Sequence, residues 1–135
     1  MSTRANVKIK GEFGDEILFY RHSDGYPEGT LPTLYEFLKL VGEGKIRKNA
    51  SQASGWLVAI GAKEYGRSLT PDSKDKISGW KIGAYEPCSK ISEWAEYIYE
   101  IDLDNLTISI SDEYDDEKEN EKLTLEEIKN KINKN

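Results

Sequence analysis

Cysteine and histidine, which build many reactive and metal-binding sites, are almost absent from this chain. Its 135 residues include one cysteine, Cys88, and one histidine, His22. A single cysteine cannot form an internal disulfide, and these two residues do not supply the four ligands of an ordinary zinc site. We therefore expect an intracellular, reducing environment, no metal and no cofactor.

Several sequence patterns that define large functional classes are also missing. No apolar run approaches the ~18 residues that would span a bilayer, and residues 1–10 lack the apolar core of a signal peptide. The sequence has no G-x-x-x-x-G-K-[ST] phosphate loop, no G-x-G-x-x-G motif, no serine-hydrolase elbow and no basic stripe. We expect a cytoplasmic protein that contacts no membrane and does not bind nucleic acid directly.

The acidic charge is concentrated in one short stretch. The chain carries a formal net charge of −6, and residues 111–121 alone contain seven acidic residues against one lysine. The preceding residues are close to neutral, and the length fits one domain. The sequence predicts a single α+β domain over residues 1–110, an acidic linker over 111–121 and a C-terminal helix over 122–135.

The sequence predicts five strands, four of them in two hairpins, and three of these strands show alternating apolar and polar residues. The first hairpin contains Val7 and Ile9 on one strand and Glu16–Arg21 on the other, and the second joins residues 96–101 to residues 106–110. The extra strand covers residues 80–86 and is expected to stop at Pro87. These strands are expected to form an antiparallel sheet.

Helices are predicted from capping residues and from apolar stripes. Thr33 and Glu36 have the spacing of a capping box, and a second helix is expected to begin at Ser51 and end near Tyr65. Thr124 and Glu127 predict the start of a third helix, which carries a short apolar stripe of Leu125, Ile128 and Ile132. The element order is ββααβββα, with two central helices covering the sheet. The weak last stripe suggests docking on a second protomer, and hence a homo-oligomer.

The most unusual segment is YRHSDGYPEG at residues 20–29, which lies between a strand and a helix. Arg21 offers a planar donor group suited to phosphate or carboxylate, and Tyr20 and Tyr26 can stack on a flat ligand. The residues expected to bind a ligand are Tyr20, Arg21, His22, Asp24, Tyr26, Trp56, Arg67, Trp80 and Tyr85, with Lys81 as another possible cation.

A structural interpretation of the same segment stays open. Asp24 and Gly25 can shape consecutive turns with Pro27 and Gly29, Arg21 can pair with Asp24 or Glu28, and His22 can donate to a backbone carbonyl. The tryptophans Trp56, Trp80 and Trp94, together with Tyr85, also fit a hydrophobic core.

Several stretches of this sequence resemble a family of short proteins encoded in phages and prophages. The similarity is carried by MSTRAN at residues 1–6, FYRHSDGYPEG at 19–29, SQASGWL at 51–57, GAYEP at 83–87 and YEIDL at 99–103. It covers most of residues 1–110. The resemblance implies a small accessory protein that acts inside a bacterium and counteracts host defence.

Three hypotheses for function follow. The first, which we favour, is a protein without catalytic activity that binds and sequesters a small anionic, nucleotide-derived ligand. The second is an inhibitor whose acidic residues 112–121 imitate nucleic acid and occupy a basic groove on a host defence protein. The third is a small hydrolase in which His22 acts as general base and is oriented by Asp24.

Overall fold

The order of strands and helices along the chain follows the sequence patterns, with one additional strand. A computed structural model describes residues 2–65 and 83–134. The strands are β1 Ala5–Lys10, β2 Glu16–Arg21, β3 Glu86–Cys88, β4 Tyr97–Asp102, β5 Thr107–Asp112 and β6 Glu121–Thr124. The helices are α1 Pro27–Gly42, α2 Ala50–Gly61 and α3 Leu125–Asn133, and a 3-10 turn follows α2 at Ala62–Tyr65.

Within the described residues, the six strands form one mixed sheet in the order β3-β2-β1-β4-β5-β6. The α+β class, the order ββααβββα and both hairpins are confirmed, and β6 is an additional strand before the last helix. The expectation of a wholly antiparallel sheet is wrong, because β1 pairs with β4 in parallel. A long connection through helices separates these two strands, and such connections allow parallel pairing.

The core lies between one face of the sheet and the helices. Alternate residues of β1 and β4 point toward α1 and α2, whose apolar stripe is buried as predicted at Leu34, Phe37 and Val41. Arg21 lies on this same face, in register with Ala5 of β1. The strand pattern therefore places a guanidinium among core side chains.

Two helix starts differ from the sequence prediction. Helix α1 begins at Pro27, where proline suits the first helical position, and Thr33 lies inside the helix instead of capping it. Helix α2 is capped by Asn49, whose side chain accepts from the Gln52 backbone at 2.9 Å, and not by Ser51. Both helices therefore begin earlier along the chain than the sequence pattern predicts.

The strand expected over residues 80–86 is also shifted, since β3 contains Pro87 in its middle. Residues 80–82 lie outside the described part of the chain. Strand β3 is at one edge of the sheet, where a residue without an N–H group is tolerated. Pro87 therefore does not end the strand.

The C-terminal residues belong to the same sheet and core. The predicted acidic linker contributes Asp112 to β5 and Glu121 to β6, and the residues between them connect these paired strands. The capping box of Thr124 and Glu127 is confirmed. Ile128 is fully buried and α3 packs against α1, so this helix docks within its own chain.

Candidate functional site

The loop that follows β2 is held by its own backbone and by the sheet. The Asp24 backbone has a φ of +57°, and its carbonyl accepts a hydrogen bond from the Thr30 hydroxyl at 2.9 Å. A Cβ on Gly25 would lie 2.8 Å from the Thr3 carbonyl oxygen. The Gly25 carbonyl accepts from the Tyr99 hydroxyl at 2.6 Å. These turn residues therefore have structural roles.

Arg21 is enclosed by acceptor groups of the protein. Its side chain is 1% exposed, and Nη1 and Nη2 donate to the two carboxylate oxygens of Glu64 at 3.0 and 2.6 Å. Its Nε also donates to the Asp24 carbonyl and its Nη2 to the Gly29 carbonyl, both at 3.3 Å. Two-pronged pairing of this kind is the strong mode of guanidinium–carboxylate contact. Glu64 thus occupies the position that the ligand hypothesis assigned to an anion.

Tyr85 and Thr33 complete the surroundings of this ion pair. The Arg21 Cζ atom lies 4.9 Å from the centre of the Tyr85 ring, a cation–π contact, and the Thr33 hydroxyl donates to Glu64 at 2.7 Å. Burial raises the pKa of Tyr85 well above its usual value. A Cβ on Gly61 would come within 2.5 Å of the Tyr85 ring, so glycine is needed there. The cluster joins β2, α1 and the 3-10 turn.

Tyr20 and His22 lie on the opposite side of the sheet from Arg21, as strand alternation requires for Tyr20. The Tyr20 hydroxyl is 2.8 Å from His22 Nδ1, and their ring centres are 5.9 Å apart. Tyr20 also lines an open groove of about 650 Å³ beside β3, together with Cys88 and Trp94. The hydrolase hypothesis had Asp24 orient His22, whereas the structure places the Tyr20 hydroxyl in contact with the ring.

A second groove lies between α1 and α2, and we call it the Trp56 groove. It has a volume of about 360 Å³ and is lined by Glu36, Leu40, Lys45, Ile46, Trp56, Ala59, Ile60 and Lys63. The buried face of α2 carries Ala53, Leu57 and Ile60, so Trp56 falls on the flank of the helix and stays 51% exposed. An apolar floor with a half-exposed indole can hold a flat ligand.

Both lysines of the Trp56 groove have carboxylate neighbours. Lys63 Nζ lies 3.3 Å from Glu36, and Lys45 Nζ lies 3.3 Å from Glu43. All four side chains are substantially exposed, so these pairs contribute little to stability. The lysines can therefore exchange these partners for an anionic group of a ligand.

The structure distributes the predicted ligand residues over separate places. Arg21 stacks on Tyr85 in the interior, Tyr20 contacts His22 on the other face, and Trp56 lies in its own groove. Tyr26 is the N-cap residue of α1 and is 39% exposed. Arg67, Trp80 and Lys81 lie outside the described residues.

Two tryptophans and one glutamate differ from what the sequence suggested. The interpretation of Trp56 and Trp94 as core residues is wrong, because they are 51% and 64% exposed, whereas Tyr85 is buried. Glu64 was not singled out, since a carboxylate near the end of an amphipathic helix has the pattern of a surface residue. Only its contact with Arg21 reveals its role.

Comparison with known proteins adds no relative. No family model, curated protein or solved structure matches this chain. Across residues 2–65 and 83–134, none of the helices combines the length and the apolar character needed to cross a bilayer. In the same residues, no three histidine, cysteine or acidic side chains form a group suited to a metal ion. The grooves are therefore the features of this molecule that bear on its function.

Proposed function

We propose that this protein binds and sequesters a small ligand of the nucleotide class in the Trp56 groove. The observation that carries the proposal is the indole of Trp56, half-exposed over an apolar floor and accompanied by Lys45 and Lys63. Such a site matches a molecule that combines a flat ring with an anionic group. Its volume is within the range of roughly 300–1,000 Å³ that is typical of small-molecule sites.

Two kinds of contact are available to a ligand in this groove. Stacking of a base on an aromatic side chain contributes about 1–3 kcal/mol. A phosphate adds charge-assisted hydrogen bonds from Lys45 and Lys63, while the exposed pairs that these lysines leave contribute about 0–1 kcal/mol each. The balance favours a ligand that supplies both the ring and the phosphate.

The lining of the groove favours binding over turnover. None of the described residues that line the groove is a cysteine or serine that could act as a nucleophile, and none is a histidine that could act as a general base. Sequestration needs affinity alone. In a phage-infected bacterium, a protein of this kind would lower the free concentration of a nucleotide signal used in host defence.

The test is thermal unfolding of the full chain with a panel of the four ribonucleoside monophosphates. At a concentration tenfold above Kd, a monophosphate is expected to add about 1.4 kcal/mol of stability and to raise Tm by about 3–6 °C. Adenosine alone and inorganic phosphate alone are expected to bind more weakly, because each retains only part of the contacts.

Trp56→Ala should weaken monophosphate binding by about 5- to 150-fold, the factor that corresponds to the loss of about 1–3 kcal/mol of stacking. Phe13→Ala is the matched control, since Phe13 is 89% exposed in the turn between β1 and β2 and is not among the residues that line the groove. If no monophosphate raises Tm at millimolar concentration, or if Trp56→Ala binds normally, the proposal is wrong.

A further inference from the structure

Three large apolar side chains lie exposed together on the side of the sheet that α1 and α2 do not cover. Ile91, Trp94 and Tyr114 are 42%, 64% and 63% exposed. Ile91 and Trp94 line the open groove beside β3, and the Tyr114 hydroxyl donates to the Trp94 carbonyl at 3.3 Å. We call these three residues and that groove the Trp94 surface.

Hydrogen bonds to the sheet hold the Trp94 surface in place. The Asn6 side chain is fully buried and accepts from the Ser92 backbone at 2.8 Å, and Ser92 in turn accepts from the Trp94 backbone at 3.2 Å. The Glu113 backbone donates to the Glu96 carbonyl at 2.7 Å. The aromatic rings are therefore presented from a fixed backbone, which lowers the entropic cost of using them for binding.

Acidic residues are abundant in the two chain segments that carry these rings. Residues 86–96 and 111–121 together contain ten acidic residues and two lysines. The two segments meet at the contacts of Glu113 with Glu96 and of Tyr114 with Trp94. This negative charge favours a partner with positive charge, since a cationic segment is attracted and an anionic segment is repelled.

The combination of aromatic rings and carboxylates favours arginine over lysine. A guanidinium can stack on an aromatic face while it pairs with a carboxylate, whereas an ammonium ion is a compact, strongly hydrated charge. The interior of this protein contains one such arrangement, in which Arg21 lies over Tyr85 and pairs with Glu64. The Trp94 surface offers the same groups to a partner.

We infer that the Trp94 surface docks an arginine-rich segment of another protein. Guanidinium groups stack on Trp94 and Tyr114 and pair with carboxylates of these segments, such as Glu93 in the groove lining. Such basic segments occur on the nucleic-acid-binding surfaces of proteins. This surface and the Trp56 groove lie on opposite faces of the sheet, so the two proposals are independent.

The test uses fluorescein-labelled nona-arginine and nona-lysine peptides and the full chain in 150 mM NaCl, with binding followed by fluorescence anisotropy. The arginine peptide is expected to bind about 5- to 30-fold more tightly, from two exposed cation–π contacts. The double variant Trp94→Ala/Tyr114→Ala should abolish this preference and change lysine-peptide binding less than about twofold. Phe13→Ala should leave both affinities unchanged.

Trp94→Ala alone keeps the backbone carbonyl that Tyr114 contacts, so it provides a second variant if the double one fails to fold. In this variant the logarithm of the affinity ratio between the arginine and lysine peptides is expected to fall by about half. Equal binding of the two peptides, an arginine preference that survives removal of the rings, or no binding of either peptide overturns the inference. None of these outcomes bears on nucleotide binding, which is measured with Trp56→Ala.

Discussion

The loop after β2 and the Trp56 groove use their chemically distinctive residues in opposite ways. In the loop, Arg21 is 1% exposed, and its donor groups contact Glu64 and backbone carbonyls. In the groove, Trp56 is 51% exposed over an apolar floor. Both residues looked like parts of one ligand site, yet one stabilises the fold and the other is accessible to a ligand.

The difference shows that unusual residue chemistry is not by itself a sign of binding. A buried guanidinium requires a carboxylate and several further acceptors, because an unpaired charge in the interior is very costly. The turn residues of the loop supply some of these acceptors. An exposed tryptophan on a helix flank has no such requirement, so its accessible surface is the more informative observation.

The largest expected effect on stability is at Arg21 in the loop. Arg21→Ala leaves the Glu64 carboxylate without its guanidinium partner, and we expect a loss of about 3–5 kcal/mol in the free energy of unfolding. Trp56→Ala should cost less than about 1 kcal/mol, because its side chain is half exposed. Chemical denaturation of the two variants measures both values.

A double variant separates the energy of the ion pair itself from the cost of leaving one charge without its partner. Arg21→Met combined with Glu64→Leu removes both charges, and it should destabilise less than either Arg21→Ala or Glu64→Ala alone. Equal stability losses in Arg21→Ala and Trp56→Ala would contradict the structural role of Arg21.

An intermediate effect is expected at two glycines of α2, one on the packed side of the helix and one on its open side. Gly61→Ala places a Cβ 2.5 Å from the Tyr85 ring, and this overpacking should cost about 1–3 kcal/mol. A Cβ on Gly55 would have no neighbour within 4 Å, so Gly55→Ala should stabilise the protein by about 0.5–1 kcal/mol through higher helix propensity. Thermal unfolding distinguishes the two, and equal shifts would show that Tyr85 does not restrict Gly61.

A smaller effect is expected at two buried tyrosines near the loop. Tyr99→Phe removes the hydrogen bond to the Gly25 carbonyl and should cost about 1–2 kcal/mol at pH 7. The Tyr85 hydroxyl lies near Thr33 and Glu64, but within the described residues it has no hydrogen bond of good geometry. Tyr85→Phe should therefore change stability by less than about 1 kcal/mol. Urea unfolding curves of the two variants test this ranking.

The same tyrosines predict a loss of stability at alkaline pH. Burial raises the pKa of both Tyr85 and Tyr99 above the value of about 10 expected in the unfolded chain. The folded state keeps protons that the unfolded state releases, so stability is full below about pH 10 and falls above it by up to about 1.4 kcal/mol per pH unit for each tyrosine. Each Phe variant should reduce this slope. An unchanged slope in both variants would show that other groups cause it.

Much of the local structure followed from sequence patterns. The strands Glu16–Arg21 and Tyr97–Asp102, the buried stripe of α1 and the capping box at Thr124 were all predicted and found. These features depend on residues that are close along the chain, so a short window contains the information. The start of α1 was harder to predict from sequence, because a helix can begin either at Pro27 or at the capping box of Thr33.

The sequence by itself determined the α+β class, the two hairpins and the set of side chains able to bind an anion or a flat ring. Only the tertiary structure decided which of them are accessible. Arg21 and Glu64 are 43 residues apart along the chain, and their pairing depends on how α1, α2 and the sheet pack together. The parallel pairing of β1 with β4 and the exposure of Trp56 also depend on that packing. Local periodicity specifies which face a residue occupies, but long-range contacts decide whether that face is covered.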